Sequence, residues 1–156
     1  MLTGGSSVGQ RDQVPAAIDE LGAPGVVVHG LRVKPGKPAV LAAIGAKPVI
    51  GLPGNPTSAL TILDAVAAPI FRALTGERAG ERAAIATQAA EPFGGREGWT
   101  WYVPALVAPD GARPLLLRSA HTSLLARADG YVVVGPHPGR IEAGAPVRVV
   151  RFLGAV

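Results

Sequence analysis

The sequence predicts two domains of different class: an α/β unit on a mostly parallel sheet over residues 1–76, then a small all-β domain over residues 77–156. Three observations carry this. Strand-like and helix-like stretches alternate up to Gly76, the pattern of a sheet covered by helices. After Gly76 come short β-like runs separated by glycine and proline. All three lysines, Lys34, Lys37 and Lys47, lie in the first half, whereas the second half is basic through arginine alone.

Met1-Leu2-Thr3 leads straight into Gly4-Gly5-Ser6-Ser7-Val8-Gly9, a glycine-rich loop. Loops of this kind that hold anions normally follow a buried strand, and only three residues stand in front of this one. An N-terminal portion is therefore expected to be missing. Asp12 to Leu21 reads as a helix with Val14, Ala17, Ile18 and Leu21 on one face, capped by Asp12 and ended by Gly22. Val26 to Val28 reads as a buried strand. Val40 to Ile44 and Pro48 to Leu52 read as two more, joined by a turn at Gly45-Ala46.

Gly51-Leu52-Pro53-Gly54-Asn55-Pro56-Thr57-Ser58 then passes from strand through a tight turn into a helix. Asn55 suits the N-cap, and Pro56 suits the first helical position, where a missing N–H is not needed. Leu60, Leu63, Ala67, Ile70 and Leu74 recur at helical spacing up to Thr75. Pro69 is expected to bend or break that helix near its last turns, and Gly76 to end it.

Beyond Gly76, Glu77 to Glu81 is polar and linker-like. Strand-like runs follow at Ala84 to Ala89, Trp99 to Val107, Pro114 to Leu117, Tyr131 to Val134 and Pro146 to Phe152. Pro109-Asp110-Gly111 between two of them is a hairpin signal. Ser123 to Ala128 fits one short helical turn. A barrel or a sandwich satisfies this pattern.

With 48% hydrophobic and 17% charged residues the chain has enough apolar material for a core. Without cysteine it has no disulfide and no thiolate metal site. The 15 basic and 11 acidic residues are evenly interspersed. That favours a solvated surface or a small anion over nucleic acid. No apolar run is expected to reach membrane-spanning length and no leader pattern opens the chain, so a soluble cytoplasmic protein is the default.

Three clusters point to one anionic ligand. In Thr3-Gly4-Gly5-Ser6-Ser7-Val8-Gly9 the glycines expose backbone N–H groups and the serines add hydroxyl donors; an ordinary turn has the same composition. In Lys34-Pro35-Gly36-Lys37-Pro38 two ammonium groups stand on a proline-stiffened backbone; an exposed basic loop is the alternative. In the third cluster, Pro53, Gly54, Asn55 and Pro56, with the Thr57 and Ser58 hydroxyls, surround the positive end of a helix, a natural anion site. A plain strand-to-helix connection would use the same residues. Asp12 is the best-placed carboxylate, for a metal ion, as a general base or simply as a helix cap. His29, His121 and His137 follow no metal-ligand spacing.

In this order and spacing the clusters resemble the molybdopterin molybdenumtransferases, the MoeA and gephyrin E-domain family. Arg118-Ser119, Ser123-Leu124-Leu125-Ala126-Arg127-Ala128-Asp129-Gly130, Val132-Val133-Val134 and Ala143-Gly144 are similar to that family's last, β-barrel domain. The resemblance covers nearly the whole chain. It implies a step of molybdenum cofactor synthesis in which adenylylated molybdopterin receives molybdate and AMP is released with Mg²⁺ assistance. Carried over by position, Gly4, Gly5, Ser6, Ser7 and Gly9, with Thr3, would cradle phosphate, and Asp12 would sit at Mg²⁺ or substrate. Lys34 and Lys37 would neutralise phosphate or molybdate, and Pro53, Gly54, Asn55, Pro56 and Ser58 would form the pocket wall. Family members are usually homodimers.

The family also carries a long N-terminal region, including the first half of the α/β domain with further acidic site residues, that this sequence does not contain. Its β-barrel often has an arginine shortly after a Gly-Arg pair; here Gly95-Arg96 is followed by Trp99, Trp101 and Tyr102, leaving Arg96 for that role. Two other readings stand beside this one: a non-catalytic module that binds a pterin phosphate or a partner protein, and a molybdopterin adenylyltransferase, which the β-domain disfavours.

Overall fold

The computed structural model, which describes residues 1–3, 13–77, 80–115 and 125–152, divides into Met1–Glu77 and Arg78–Val156. In the first unit a four-stranded sheet has the order β1 (Leu2–Thr3), β5 (Lys47–Leu52), β4 (Val40–Ile44), β2 (Pro24–His29). A two-residue strand, β3 (Val33–Lys34), lies in the connection between β2 and β4. Alternate residues along β4 and β5 feed two cores. Val40, Ala42 and Val49 pack with Ile18 of α1 (Val14–Glu20). Leu41, Ile50 and Leu52 pack with Ile62 and Ala67 of the helix after β5. The period of two along a strand thus produces helices on both faces of the sheet.

The sheet is mixed, which corrects the expectation of a mostly parallel one. Only β1 and β5 run parallel; β5–β4 and β4–β2 are antiparallel. The reason is connection length. Parallel neighbours need a crossover of a dozen or more residues, and β4 reaches β5 through Gly45-Ala46 alone. The link from β2 to β4 folds back on itself, with Gly30 N–H donating to Ala39 O (2.9 Å) and Leu31 N–H to Lys37 O (2.8 Å).

α1 is shorter than predicted. Its N-cap is Gln13, which makes no side-chain cap bond, and Asp12 lies outside the described residues. The helix after β5 comprises α2 (Pro56–Ile62), a π-helical turn over Leu63–Ala67, and α3 (Ala68–Leu74). Pro69 does not end it. Ala68 N–H reaches Leu63 O, five residues back, so the irregularity falls just before the residue that lacks a donor. Ile62 lies at the centre of the packed face, whereas Leu60 and Leu74 are exposed. An almost wholly apolar helix hides its phase in the sequence, and the π turn shifts it. This helix, 19 residues from Pro56 to Leu74, is by length and composition able to cross a membrane, which corrects the expectation that no such run exists. Its face built on Ile62 and Ala67 packs in the core of the unit.

In the second unit five strands follow the order β9 (Gly111–Pro114), β8 (Thr100–Ala108), β10 (Gly130–Val134), β12 (Pro146–Val150), β6 (Ala84–Gln88), every neighbour antiparallel. Phe93, Val103, Ala105, Val132, Val134, Val147 and Val149 form its core. The hairpin at Pro109-Asp110 forms as predicted, but Gly111 opens β9, so that strand sits before the predicted Pro114 to Leu117. β7 (Phe93–Gly94) and β11 (Arg140–Ile141) form a small ribbon that the glycine-rich sequence did not announce. The outer strands β6 and β9 meet where Ala90 N–H donates to Ala112 O (2.8 Å). At Gly111, with φ +131°, a Cβ would lie 2.4 Å from Gln88 O, so the approach requires glycine. The contact is a single bridge rather than the ladder that full barrel closure entails.

Candidate functional site

Register places the clusters. In the parallel pair Thr3 lies opposite Leu52, so the chain leaves β1 and β5 at the same rim of the sheet. In the antiparallel pair Val40 lies opposite Gly51, so the chain enters β4 at that rim too. The Lys34 to Pro38 loop comes just before β4, and Pro53 to Ser58 come just after β5. An antiparallel β4 is what brings the lysine loop to this end; in a parallel sheet it would enter from the opposite one.

The lysine loop is fixed against the helix. Gly36 has φ +121°, and a Cβ there would stand 2.5 Å from Ile62 Cδ1 and 2.7 Å from Ile62 Cγ1. No side chain fits in that gap, and an L-residue does not readily adopt that φ. Ala39 N–H donates to Gly36 O (3.1 Å), closing the loop on itself, and Leu31, Val33 and Ala39 join the core around Ile62. Lys34 and Lys37, flanking this buried glycine, are both exposed. The loop thus combines a buried backbone with two exposed lysine residues.

The helix end is made as the residues dictate. Asn55, with extended backbone, accepts Ser58 N–H on its side-chain oxygen (3.2 Å), and Pro56 follows as the first helical residue. Pro53 is buried and Gly54 exposed. The buried polar residues of this helix, Thr57, Thr61 and Asp64, follow one another at helical spacing. Thr61 Oγ1 donates to Thr57 O (2.9 Å), but Thr57 Oγ1 has no hydrogen-bond partner among the described residues. The sequence showed Thr57 as a hydroxyl near the helix end. Its burial at 4% exposure comes from packing.

Of the predicted site residues, Thr3, Lys34, Lys37, Pro53, Gly54, Asn55, Pro56 and Ser58 lie on elements meeting at this rim. Gly4, Gly5, Ser6, Ser7, Gly9 and Asp12 lie outside the described residues, as do Arg118, Ser119, Ser123 and Leu124. Among the described residues no group of three or more histidines and carboxylates could hold a metal ion. In the second unit Arg96 is exposed, and its carbonyl accepts Trp101 Nε1–H (3.4 Å).

Residues 1–73 match the family model of a probable molybdopterin binding domain, and residues 87–152 match that of the MoeA C-terminal region, domain IV. The chain is built of these two MoeA-family domains. It is 29% identical over 155 residues to a molybdopterin molybdenumtransferase of Synechocystis, covering 92% of this chain and 36% of that protein. It is 26% identical to the Haemophilus influenzae enzyme of the same name, covering 97% and 39%. A crystal structure of a MoeA molybdopterin biosynthesis protein from Pyrococcus superposes with a TM-score of 0.73 at 33% identity, over 90% of this chain and 34% of that one. The chain thus spans a little over a third of the length of these MoeA-family relatives.

Proposed function

We propose that this chain supplies the anion-binding rim of a molybdenum cofactor biosynthesis protein. Its step is the insertion of molybdate into adenylylated molybdopterin with release of AMP. The observation that carries the reading is the pair of registers, Thr3 with Leu52 and Val40 with Gly51, by which Thr3, the entry into β4 after the lysine loop and the exit from β5 lie at one rim of the sheet. Lys34 and Lys37 neutralise phosphate or molybdate oxygens. The capped helix end offers its first N–H groups and partial positive charge to the same anion. Gly54 allows the backbone to approach the ligand closely. The Gly4 to Gly9 loop completes the cradle, and the ion expected near Asp12 belongs to that part of the pocket. A cytoplasmic homodimer without nucleic-acid or membrane partners is the corresponding assembly.

A second reading is a module that holds the pterin phosphate without turnover. One experiment separates the two. The chain is titrated with AMP and with molybdopterin, and AMP release from adenylylated molybdopterin is then followed with and without molybdate. Molybdate-dependent release supports the transferase. Binding without release supports the module, and no binding of either ligand refutes both.

A further inference from the structure

We propose that the Asp19 carboxylate, seated on the Val26 N–H, closes the β2 edge of the sheet against strand pairing with a second copy of this chain. β2 stands at the end of the strand order, with β4 as its neighbour on one side. The backbone groups on the other side of such a strand are a template for a further strand. The residues of β2, Pro-Gly-Val-Val-Val-His, suit that use. They include three consecutive valines and no lysine, arginine or carboxylate, and Val27 is 66% and Val28 37% exposed. β-Branched side chains and low charge favour pairing between chains, and two copies of one strand can meet antiparallel about a twofold axis.

Helix α1 supplies the obstacle. Ala23 O accepts Gly45 N–H and so faces β4; by the alternation of an antiparallel pair, Pro24 and Val26 face outward. Pro24 has no N–H to offer. The Val26 N–H is taken by Asp19 Oδ1 at 2.7 Å, so an exposed carboxylate occupies the place that an incoming carbonyl would need. Gly25 makes room for it: its φ is +76°, and a Cβ there would collide with Asp19 Oδ1. The register shift between Val26 and Val28 interrupts the edge a second time. In a twofold pair centred on β2 both copies bring their Asp19 to the contact, and like charges oppose it. The homodimer proposed above then uses another surface. The inference is independent of the reading of the rim as an anion site.

The test compares Asp19→Ala, alone and combined with Val27→Lys, with the unaltered chain by sedimentation velocity over a concentration series, alongside thermal melts and amide hydrogen exchange. Asp19→Ala is expected to form larger species than the unaltered chain, with their onset at about tenfold lower concentration. Adding Val27→Lys, which puts a charge on the edge, is expected to return the onset to within about twofold of the unaltered chain without raising the melting temperature. In the unaltered chain, where no variant has to fold, the Val26 amide is expected to exchange at least about tenfold more slowly than in an unstructured peptide. Unchanged association of Asp19→Ala overturns the inference whatever its melting temperature, since the contact then only anchors α1. Association that survives Val27→Lys also overturns it, because the contact then lies elsewhere or arises from unfolding. Exchange of the Val26 amide at the unstructured rate overturns it by showing that N–H unengaged.

Discussion

Replacing Gly36 with alanine tests the placement of the lysine loop most directly. The new Cβ would stand 2.5 Å from Ile62 Cδ1, at a backbone φ of +121°. Holding an L-residue in that region costs about 2 kcal/mol. Forcing a methyl group against a fully buried isoleucine costs about 2 kcal/mol more. The reduced freedom of the unfolded chain returns about 0.7 kcal/mol. The net loss is about 3 kcal/mol, which in a unit of this size lowers the melting temperature by roughly 12–24 °C. Far-UV circular dichroism is the appropriate probe, because α1, α2 and α3 all lie in the first unit. Both tryptophans, Trp99 and Trp101, lie in the second, so their fluorescence reports that unit separately. Adding Ile62→Val removes Cδ1, the atom nearest the new methyl group, and is expected to recover about 1 kcal/mol relative to its effect in the Gly36 background. A dichroism midpoint for Gly36→Ala unchanged within about 3 °C, under 1 kcal/mol for a unit this size, would show that the loop does not pack on Ile62 as described.

Three further outcomes follow from the structure. Asn55→Ala removes the acceptor of Ser58 N–H and is expected to cost about 1 kcal/mol, or roughly 4–8 °C in the same melt, whereas Asn55→Ser retains most of the stability. Lys37→Ala is expected to weaken molybdate or phosphate binding about two- to fivefold, to flatten its dependence on ionic strength, and to leave the melting temperature nearly unchanged, because this exposed side chain acts through charge. In the β8–β9 hairpin the Arg113 guanidinium hydrogen-bonds Asp110 and holds its carboxyl below the ordinary value of 3.8. A lowered folded value gives stabilisation that is present above the unfolded value and lost as pH falls through the folded one. The urea midpoint read by tryptophan fluorescence should therefore decline below about pH 4, and Asp110→Asn should make that decline shallower.

Much of the first unit was legible because its signals act over a few residues. Asn55 and Pro56 specify a helix start through one side-chain acceptor and one fixed φ, and both occupy those roles. β4 spans Val40–Ile44 as its apolar run predicts, and the hairpin at Pro109-Asp110 follows from its turn residues. Strand direction was misread, although Gly45-Ala46 is too short to return a parallel strand and its two-residue length already implied the antiparallel pair. The helix face was legible in part: Leu63, Ala67 and Ile70 pack in the core, but alanine, leucine, isoleucine and valine populate nearly every side, so periodicity alone does not show that Ile62 is buried and Leu60 exposed.

By itself, then, the sequence determined most of the elements, the Asn55 cap and the residues of the three clusters, since each depends on atoms no more than a few residues apart. Tertiary structure decided that Thr3, the entry into β4 and the exit from β5 share a rim, because pairing direction and register join residues as distant as Thr3 and Leu52. It also decided that Gly36 lies against Ile62 and that the Thr57 hydroxyl is buried. Burial is a property of what packs against a residue, and no local pattern of side chains encodes it.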